Sequence, residues 1–333
     1  MSGVIAALPG DGVGPEVVDE AERLLALVAP ELKLERHLFG GIAIDETGDP
    51  LPPETLAASR EADAVLLGAV GGPKWDGGGR RPEEGLLGIR AQLDVYANLR
   101  PARFGKVDLL IVRELLGGLY FGENGVREDG TWFDTLEYKP AQIERVARRA
   151  FELARQRSGR LLSVDKANVI STSRLWRKVV SDLAGDYPDV QLTHGLVDST
   201  AMRIVTHAET FDVLLMENTF GDILSDVAAG VAGGLGIAAS ASLGDGSGPA
   251  IYEPVHGSAP DIAGKGVANP AAMLRSVALM LRHTFGDVVL AERIDTAVDA
   301  ALAAVPTPDL GGSSSTRDLT DHVLATLSNE EEA

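Results

Sequence analysis

The sequence predicts an α/β fold with a largely parallel central sheet. Short apolar segments of the length of buried strands alternate along the chain with segments whose apolar residues recur at helical spacing. One of them, residues 64–70, is a continuous apolar run that ends near glycines, as a parallel strand covered on both faces would be. The chain has 333 residues, 45% of them hydrophobic, which is enough for two domains with buried cores.

Each element has a local signal. The first strand is predicted at 4–8, a tight turn follows, and a helix then begins at Pro15, because proline is favoured at the first helical position. Asn269 is predicted to cap a long apolar helix. Residues 72–82 predict a loop, and residues 228–248 a tightly packed, glycine-rich connection. Further strands are predicted at 34–39, 64–70, 109–112, 161–164, 192–197 and 213–216.

Charge and composition exclude several functions. The formal charge is −19, so the chain would repel the phosphates of nucleic acid, and no nucleic-acid partner is expected. The chain contains no cysteine, which excludes disulfides, thiolate metal sites and thiol nucleophiles. Because the sequence has no apolar run long enough to span a membrane and no signal peptide, a soluble, cytoplasmic protein without a membrane partner is expected.

The most informative segment is 218–226, in which Asp222 and Asp226 follow a strand-like run. Residues i and i+4 lie on one face of a helix, and Thr219 followed by Asp222 is predicted to begin that helix as a capping box. Two like charges on one face repel each other unless a cation lies between them, and oxygen ligands with room left for a substrate suit Mg²⁺ or Mn²⁺. The alternative is a solvated acidic pair that the helix dipole stabilises.

The glycine-rich turn before Pro15 invites comparison with a dinucleotide-binding fingerprint. The sixth position of that fingerprint needs Gly or Ala for close packing of helix and strand, and Pro15 stands there. The pattern is therefore interpreted as a tight turn before a helix, although its backbone can still approach a cofactor.

Several charged residues stand at positions suited to binding and deprotonating a carboxylic-acid substrate. Arg90 and Arg100 can each grip a carboxylate with two parallel hydrogen bonds, although each alone also fits a surface ion pair. Lys166 ends an apolar strand, where a desolvated amine near a cation can act as a base, or it can extend to the surface. Asp198 also ends a strand and is a candidate third metal ligand.

A dense polar loop at 253–264 is the candidate nucleotide site. His256 can stack on an adenine, and Ser258 with the neighbouring glycine amides can contact phosphates. Asp261 can bind ribose hydroxyls, and because a carboxylate there would repel a 2′-phosphate, it favours NAD over NADP. An ordered surface loop is the alternative.

Together these motifs resemble the β-decarboxylating dehydrogenases, a family that includes the dehydrogenases of 3-isopropylmalate, isocitrate, homoisocitrate and tartrate. The resemblance follows the chain in order from end to end and rests on segments of up to seventeen residues, at 8–16, 71–76, 97–101, 112–115, 164–168, 220–226 and 253–269. Residues 71–76 and 114–122 are most similar to the branch that acts on 3-isopropylmalate. The connection 102–106 is shorter than relatives usually have.

The resemblance implies a two-domain fold like that of isocitrate and isopropylmalate dehydrogenases. Residues 1–95 and 233–333 would form a discontinuous cofactor-binding domain, and residues 96–232 a central domain with the dimer interface. Relatives are homodimers with shared active sites, so Lys166 and Asp198 would act on the active site of the partner subunit.

The resemblance also implies the reaction: NAD-dependent oxidation of a small 2-hydroxy dicarboxylic acid, 3-isopropylmalate, with loss of CO₂ to give 2-oxo-4-methylpentanoate in leucine biosynthesis. Lys166 would be the base and Tyr138 the group that protonates the enol. The expected metal ligands for Mg²⁺ or Mn²⁺ are Asp198, Asp222 and Asp226. The expected substrate residues are Arg90, Arg100, Arg127, Glu83, Leu86, Leu87 and Asp198. The expected cofactor residues are Glu253, His256, Gly257, Ser258, Ala259, Asp261, Ile262 and Asn269.

Three other functions compete with this prediction. A decarboxylase of the tartrate/malate or homoisocitrate type shares the chemistry, but isocitrate would need a hydrogen-bonding residue, and homoisocitrate a cationic one, where Leu86 and Leu87 stand. A non-catalytic module that binds metal and nucleotide is argued against by the intact base, metal and arginine positions. A metal-free hydroxyacid dehydrogenase is argued against by Asp222 and Asp226.

Overall fold

The computed structural model describes residues 2–77 and 79–331. The strands, in chain order, are β1 Gly3–Gly10, β2 Leu32–Arg36, β3 Ala64–Ala69, β4 Ala97–Phe104, β5 Val107–Glu114, β6 Asn124–Val126, β7 Trp132–Asp134, β8 Arg160–Asp165, β9 Gln191–Leu196, β10 Val213–Met216, β11 Ala239–Leu243 and β12 Ala250–Pro254. The helices are α1 Gly14–Val28, α2 Gly41–Thr47, α3 Pro53–Glu61, α4 Pro82–Gln92, α5 Pro140–Gln156, α6 Ser171–Leu183, α7 Val197–His207, α8 Asn218–Val231, α9 Ala271–His283, α10 Val288–Ala304 and α11 Thr316–Glu331.

The chain folds into two compact units. The first contains the residues up to Asp94 and those from Gly233 onward, and the second is Val95–Ala232. The sequence placed the corresponding breaks after residues 95 and 232. The assignment of cofactor binding to the first unit and of dimer formation to the second stays a proposal.

The first unit is built on five strands in the order β2-β1-β3-β12-β11. All neighbours in this order are parallel except β11, which runs antiparallel to β12. All six residues of β3 are buried, as expected for a parallel strand covered on both faces. Helix α9 packs against β11 and β12, and Met273, Leu274 and Val277 on it are fully buried.

The second unit has five strands in the order β4-β5-β10-β8-β9. Strands β4 and β5 form an antiparallel hairpin closed by Gly105 and Lys106 alone, and the other neighbours are parallel. The core of this unit joins the strands to helices α7 and α8 through apolar side chains that include Ile111, Leu214 and Leu224. A separate two-stranded sheet, β6 and β7, stands apart from the five strands.

The register of the second unit brings the polar strand ends together. Arg113 on β5 lies opposite Met216 on β10, and Met216 lies opposite Val164 on β8. Because these strands are parallel, the residues that follow each of them emerge at the same edge of the sheet, where ligands bind in folds of this class. Sheet geometry therefore gathers residues that are distant in sequence.

The predicted α/β class with largely parallel strands is confirmed, but several element predictions are wrong in detail. The second strand ends at Arg36 and does not reach residue 39. Residues 97–104, 239–243 and 250–254 are strands that the sequence analysis did not predict, and the predicted connection 228–248 contains both the end of α8 and β11. These strands carry polar residues and prolines, so their apolar pattern is weak.

Within the described part of the chain, no helix is both long enough and apolar enough to cross a membrane.

Candidate active site

The acidic pair predicted from the sequence lies on one face of α8. The Asp222 carboxylate accepts hydrogen bonds from Arg113 and, at 2.7 Å, from the Tyr120 hydroxyl. Asp226 lies 3.4 Å from Arg100, and burial together with the Asp222 carboxylate raises the pKa of Asp226. Both aspartates are partly exposed, so their oxygens are accessible to a ligand.

The start of α8 differs from the prediction. The N-cap is Glu217, whose carboxylate accepts hydrogen bonds from the backbone N–H groups of Thr219 and Phe220 at 3.1 and 2.8 Å. Thr219 was predicted to cap the helix, but it lies inside it, and its buried hydroxyl has no hydrogen-bond partner within the described residues. Glutamate is not among the residues preferred at an N-cap, so the sequence pattern predicted Thr219 instead of Glu217.

Arg100 and Arg113 hold the acidic pair in place from neighbouring strands. Arg100 is nearly buried, donates to Ser225 at 2.8 Å and lies 3.3 Å from Asp222. Arg113, with 2% of its surface exposed, donates to the Asn218 side chain at 2.9 and 2.7 Å and to Asp222. Two guanidinium groups therefore offset the repulsion between the aspartates.

Tyr138 is buried among acidic groups. Its hydroxyl accepts a hydrogen bond from the Asn218 backbone N–H at 3.0 Å and donates to the Glu217 carboxylate at 3.2 Å. Burial, Glu114 and Glu217 together raise the pKa of Tyr138 far above its usual range, so the group stays a neutral phenol. Burial also raises the pKa of Glu217, and it raises that of Glu114 to about 7.

Lys166 directly follows β8, and Asp198, which was predicted to end a strand, is instead the second residue of α7; the two side chains are neighbours. The Lys166 ammonium lies 2.8 Å from the Asp198 carboxylate and holds the pKa of Asp198 below its usual range. No group of three His, Cys, Asp or Glu side chains suited to a metal ion occurs within residues 2–77 and 79–331. The structure therefore brings Asp222 and Asp226 together, and Lys166 and Asp198 together, without joining the two pairs in one chain.

Arg127 lies at the turn of the hairpin formed by β6 and β7. Its backbone N–H donates to the Thr131 carbonyl at 2.9 Å, and its guanidinium stacks on the Phe133 ring at 4.7 Å from the ring centroid. No contact among the described residues shows Arg127 bound to a carboxylate.

In the first unit, Arg90 forms a buried ion pair. Its guanidinium lies 2.7 Å from the Glu253 carboxylate, with both side chains less than 9% exposed. The Nε of Arg90 is buried and has no hydrogen-bond partner among the described residues. Arg90 was predicted to bind the substrate and Glu253 the cofactor, and the structure pairs the two directly.

The predicted selectivity residues share a face of α4 with Arg90. Leu86, Leu87 and Arg90 lie three, four and seven residues after Glu83, which places all four on one side of the helix. Leu86 and Leu87 are partly exposed, and Glu83 is exposed. An apolar surface next to a guanidinium suits a ligand with both an alkyl and a carboxylate group.

The polar loop after β12 has several features of a ligand-binding loop. His256 donates from Nδ1 to the Gly257 carbonyl at 2.9 Å, and its buried Nε2 has no partner among the described residues. Burial lowers the pKa of His256, so the ring is neutral. Ala259 has a φ of 40°, a left-handed backbone that a non-glycine residue rarely adopts. Ile262 is partly exposed and Asp261 exposed.

The glycine-rich turn is fastened to this loop. The Val13 N–H donates to the Ser258 carbonyl at 2.8 Å. Gly12 has a φ of 59°, and a Cβ there would overlap the same carbonyl oxygen. The Asp11 carboxylate accepts from the N–H groups of Gly41 and Gly71 at 2.8 and 2.9 Å, so the turn also holds the start of α2 and the loop after β3.

Asn269 connects this loop to α9 and to the segment that follows α10. Its side-chain oxygen accepts from the Ala271 N–H at 3.0 Å, and its amide donates to Asp309 at 3.1 Å. The formal N-cap of α9 is Pro270, so the predicted cap is one residue too early, although Asn269 does satisfy a backbone group at the helix start.

Comparison with known proteins assigns the family. A sequence profile of isocitrate/isopropylmalate dehydrogenases matches residues 4–323. The chain is 49% identical to the 3-isopropylmalate dehydrogenase of Oceanobacillus iheyensis, over 98% of this chain and 96% of the relative, and 50% identical to that of Bacillus subtilis, over 98% and 97%. The chain belongs to the isocitrate/isopropylmalate dehydrogenase family.

Solved structures of family members have the same fold. The isocitrate dehydrogenase of Methylococcus capsulatus superimposes with a TM-score of 0.90 at 36% identity, covering 98% of this chain and 99% of that one. A β-decarboxylating dehydrogenase from Thermococcus kodakarensis gives a TM-score of 0.85 at 36% identity, covering 100% and 98%. The prediction of an isocitrate/isopropylmalate dehydrogenase-like fold is confirmed.

The sequence analysis missed several polar residues of this family member. It assigned no role to Arg113, Glu114, Glu217, Asn218 or Tyr120, although all five surround the acidic pair or Tyr138. A signal was available for the first two, because Arg113 and Glu114 interrupt an apolar strand at its carboxyl end. Tyr120 has no such signal and is located only by the fold.

Proposed function

We propose that this chain is a 3-isopropylmalate dehydrogenase, which oxidises 3-isopropylmalate with NAD⁺ and removes CO₂ to give 2-oxo-4-methylpentanoate in leucine biosynthesis. The observation that carries the proposal is the identity of about one half, over almost the whole length of both chains, to several proteins of that name. The isocitrate dehydrogenase of Methylococcus capsulatus is less similar, at 36% identity.

Substrate selection is assigned to the exposed face of α4. Leu86 and Leu87 provide an apolar surface for the isopropyl group, and Glu83 lies on the same face. Arg90, with an unpartnered Nε, is proposed to bind the carboxylate that is lost, together with Arg100 and Arg127. A neighbouring alkyl contact of this kind discriminates by roughly 1–3 kcal/mol per methylene, enough to favour the isopropyl substrate over unsubstituted malate.

The acidic pair fits a divalent metal. Asp222 and Asp226 offer accessible hard oxygen atoms from one helix face, which suits Mg²⁺ or Mn²⁺, and Asp198 is proposed as a ligand from the partner subunit. When bound, such an ion polarises the oxygen on C2 and stabilises the negative charge that develops there as CO₂ leaves. Arg100 and Arg113 would meanwhile keep both aspartates oriented.

The loop at 253–262 fits NAD. The unpartnered Nε2 of His256 and the strained backbone of Ala259 indicate a segment that is completed by a ligand, and exposed Asp261 favours ribose hydroxyls over a 2′-phosphate. Glu253, Gly257, Ser258, Ile262 and Asn269 complete the proposed cofactor residues. When bound, NAD⁺ accepts the hydride from C2.

Proton transfer is assigned to two groups. Lys166, supplied by the partner subunit, is proposed to take the proton of the C2 hydroxyl. Tyr138 stays a neutral phenol and is proposed to protonate C3 after CO₂ has left. Each such group accounts for roughly 10²- to 10⁴-fold in rate.

A homodimer with shared active sites is proposed from two exposed apolar surfaces of the second unit. Met202 and Val205 on α7 and Ile223 on α8 are each more than half exposed, on two helices that pack against each other. On the hairpin of β6 and β7, Trp132 is 81% exposed. Apolar residues so exposed on adjacent elements are typical of a protein–protein interface.

The first test measures NADH formation with five acids in parallel: 3-isopropylmalate, isocitrate, homoisocitrate, tartrate and malate. We expect a strong preference for 3-isopropylmalate, complete loss with EDTA and recovery with Mg²⁺ or Mn²⁺. Preference for another acid would refute the role of Leu86 and Leu87 but keep the mechanism. Full activity with EDTA would refute the metal site.

The shared site is tested by mixing inactive variants. Lys166→Met and Asp222→Asn affect residues proposed to act in different subunits of one site. A heterodimer of the two variants contains one intact site, so we expect activity to reappear on mixing, whereas each variant alone stays inactive. Heterodimers that form but stay inactive would show that Lys166 and Asp222 act within one chain.

A further inference from the structure

Two buried carboxyl groups flank the Tyr138 hydroxyl, and the proposed reaction uses neither. Glu217 is 6% exposed and its Oε2 lies 3.2 Å from the hydroxyl oxygen. Glu114 is fully buried, interacts electrostatically with Tyr138, and accepts from the N–H groups of Leu116 and Gly117 at 3.0 and 2.8 Å. Buried carboxyl groups are rare without a specific cause.

Two glycines allow these groups to approach one another. A Cβ on Gly117 would lie 2.6 Å from the Tyr138 ring and 3.1 Å from Glu114, and a Cβ on Gly118 would lie 2.7 Å from the Tyr138 hydroxyl and 3.1 Å from Glu217. Any other residue at these positions would push the three groups apart.

A cavity of about 440 Å³ reaches the same place. Its wall includes Gly117, Gly118 and Tyr138, together with Lys139 and Thr172. The Thr172 hydroxyl is buried and has no hydrogen-bond partner among the described residues. A cavity of this size, with both polar and apolar residues in its wall, has room for several water molecules that can exchange protons with the groups lining it.

Charge makes an isolated proton transfer from Tyr138 costly. If the phenol gave up its only proton, a phenolate would remain buried next to Glu114 and Glu217. The positive groups that face the two carboxyl groups are Arg145 near Glu114 and Arg113 near Glu217, and Arg113 is already paired with Asp222. The phenolate is therefore accessible only if a second proton moves as the first one leaves.

We propose that Glu217 and Tyr138 form a proton relay, an inference that rests on the proposed role of Tyr138. The O–H bond of Tyr138 breaks as a C–H bond forms at C3 of the enolate. In the same step the O–H bond of the Glu217 carboxyl group breaks and a new O–H bond forms on Tyr138. Glu217 is left as a carboxylate and takes a proton from water, which balances the proton that the substrate hydroxyl releases through Lys166.

The surrounding groups support this relay. Burial raises the pKa of Glu217 and brings that of Glu114 to about 7, so burial favours the protonated form of both carboxyl groups that lie near Tyr138. The Asn218 N–H already occupies one lone pair of the Tyr138 hydroxyl at 3.0 Å, which orients its hydrogen and its remaining lone pair. Glu217 is a positioning and relay residue, because it acts on the substrate only through Tyr138.

The test isolates the proton step. 2-Oxo-4-methylpentanoate carrying tritium at C3 is incubated with the dimer, NADH and Mg²⁺, and release of tritium is followed in H₂O–D₂O mixtures. In this direction Tyr138 takes the C3 proton as its own proton moves to Glu217, so two protons move together. For the unmodified protein we expect the rate of tritium release to vary non-linearly with the deuterium fraction of the solvent, because two protons move in the same step. A straight line would overturn the relay even if no variant folds.

Glu217→Gln keeps an oxygen that can cap α8 but has no transferable carboxyl proton. We expect tritium release to slow by on the order of 10-fold or more and its dependence on deuterium to become linear. Asp212→Asn is the matched control, because Asp212 is a buried carboxylate in the same unit, paired with Arg157 and Ser158. Even if this variant is less stable, its folded form should release tritium at the unmodified rate and with the same curved dependence on deuterium.

Two results separate the relay from the proposed function. Unchanged rate and curvature in Glu217→Gln, with Tyr138→Phe inactive, would overturn the relay and leave the role of Tyr138 intact. Normal tritium release in Tyr138→Phe would refute the proposed role of Tyr138 itself, and the relay with it.

Discussion

Gly221 on α8 provides a test of how tightly the acidic pair is held. Alanine normally stabilises a helix interior by about 1 kcal/mol relative to glycine. At Gly221, however, a Cβ would lie 2.7 Å from Cγ and 2.8 Å from Cβ of Arg113. Both atoms belong to the base of a side chain that is 2% exposed, so the clash cannot be relieved by rotation of a flexible end.

The magnitude follows from two opposing terms. Overpacking of a buried position costs about 1–3 kcal/mol, which outweighs the gain in helix propensity. We therefore expect Gly221→Ala to lower the free energy of unfolding, by up to about 2 kcal/mol. Displacement of the Arg113 guanidinium would also remove its hydrogen bonds to Asn218 and Asp222. The Mg²⁺ concentration needed for half-maximal activity should then rise.

The matched control is Gly230→Ala on the same helix. Gly230 is exposed, and a Cβ there would meet no atom within 4 Å. We expect this variant to be unchanged or more stable by a few tenths of a kcal/mol, since it lies near the helix end. Thermal unfolding and activity titrated with Mg²⁺ give both readouts. Equal stabilisation by the two substitutions would refute the packing argument for Arg113.

Three further predictions concern other parts of the molecule. Gly12→Ala should raise the KM for NAD⁺ by about 10-fold or more, because the added Cβ displaces the loop that Gly12 contacts. Gly105 has the same φ of 59° but no atom within 4 Å of an added Cβ, so Gly105→Ala should introduce only backbone strain and leave the KM unchanged. An equal KM for NAD⁺ in the two variants would refute this. The double variant Leu86→Ala, Leu87→Ala should prefer 3-isopropylmalate over malate by about 10-fold less, or weaker still. The preference is measured as the ratio of the two kcat/KM values, and an unchanged ratio would show that neither leucine contacts the substrate. Burial disfavours the ionised form of Asp212, but hydrogen bonds from Ser158 and Arg157 hold its pKa below its usual range. The ionised carboxylate therefore stabilises the folded protein at any pH above the pKa of an unfolded aspartate, and this stabilisation disappears as the pH falls through the lower pKa of the folded state. Asp212→Asn should therefore be less stable at neutral pH and approach the unmodified protein in acid, and a difference that grows as the pH falls would contradict this sign.

The fold class was predictable because its signals are local. The buried strands at 64–69 and 213–216 are apolar throughout, so their pattern survives without knowledge of their neighbours. The strand at 97–104 was missed because Asn98, Arg100 and Pro101 interrupt its pattern, and only pairing with β5 makes it a strand. Polar residues that line the candidate site interrupt the apolar pattern from which a strand is predicted.

The sequence by itself determined the α/β class, the helices that became α1, α8 and α9, and the motifs whose resemblance to a known family implies oxidation of a hydroxy acid. These features depend on periodicity, composition and motif spacing within short segments. Only the tertiary structure decided that Glu217 caps α8, that Arg113 holds Asp222 and that Glu114 and Glu217 enclose Tyr138. Those contacts join residues up to about one hundred positions apart, and parallel strand register, which no local pattern encodes, brings them together.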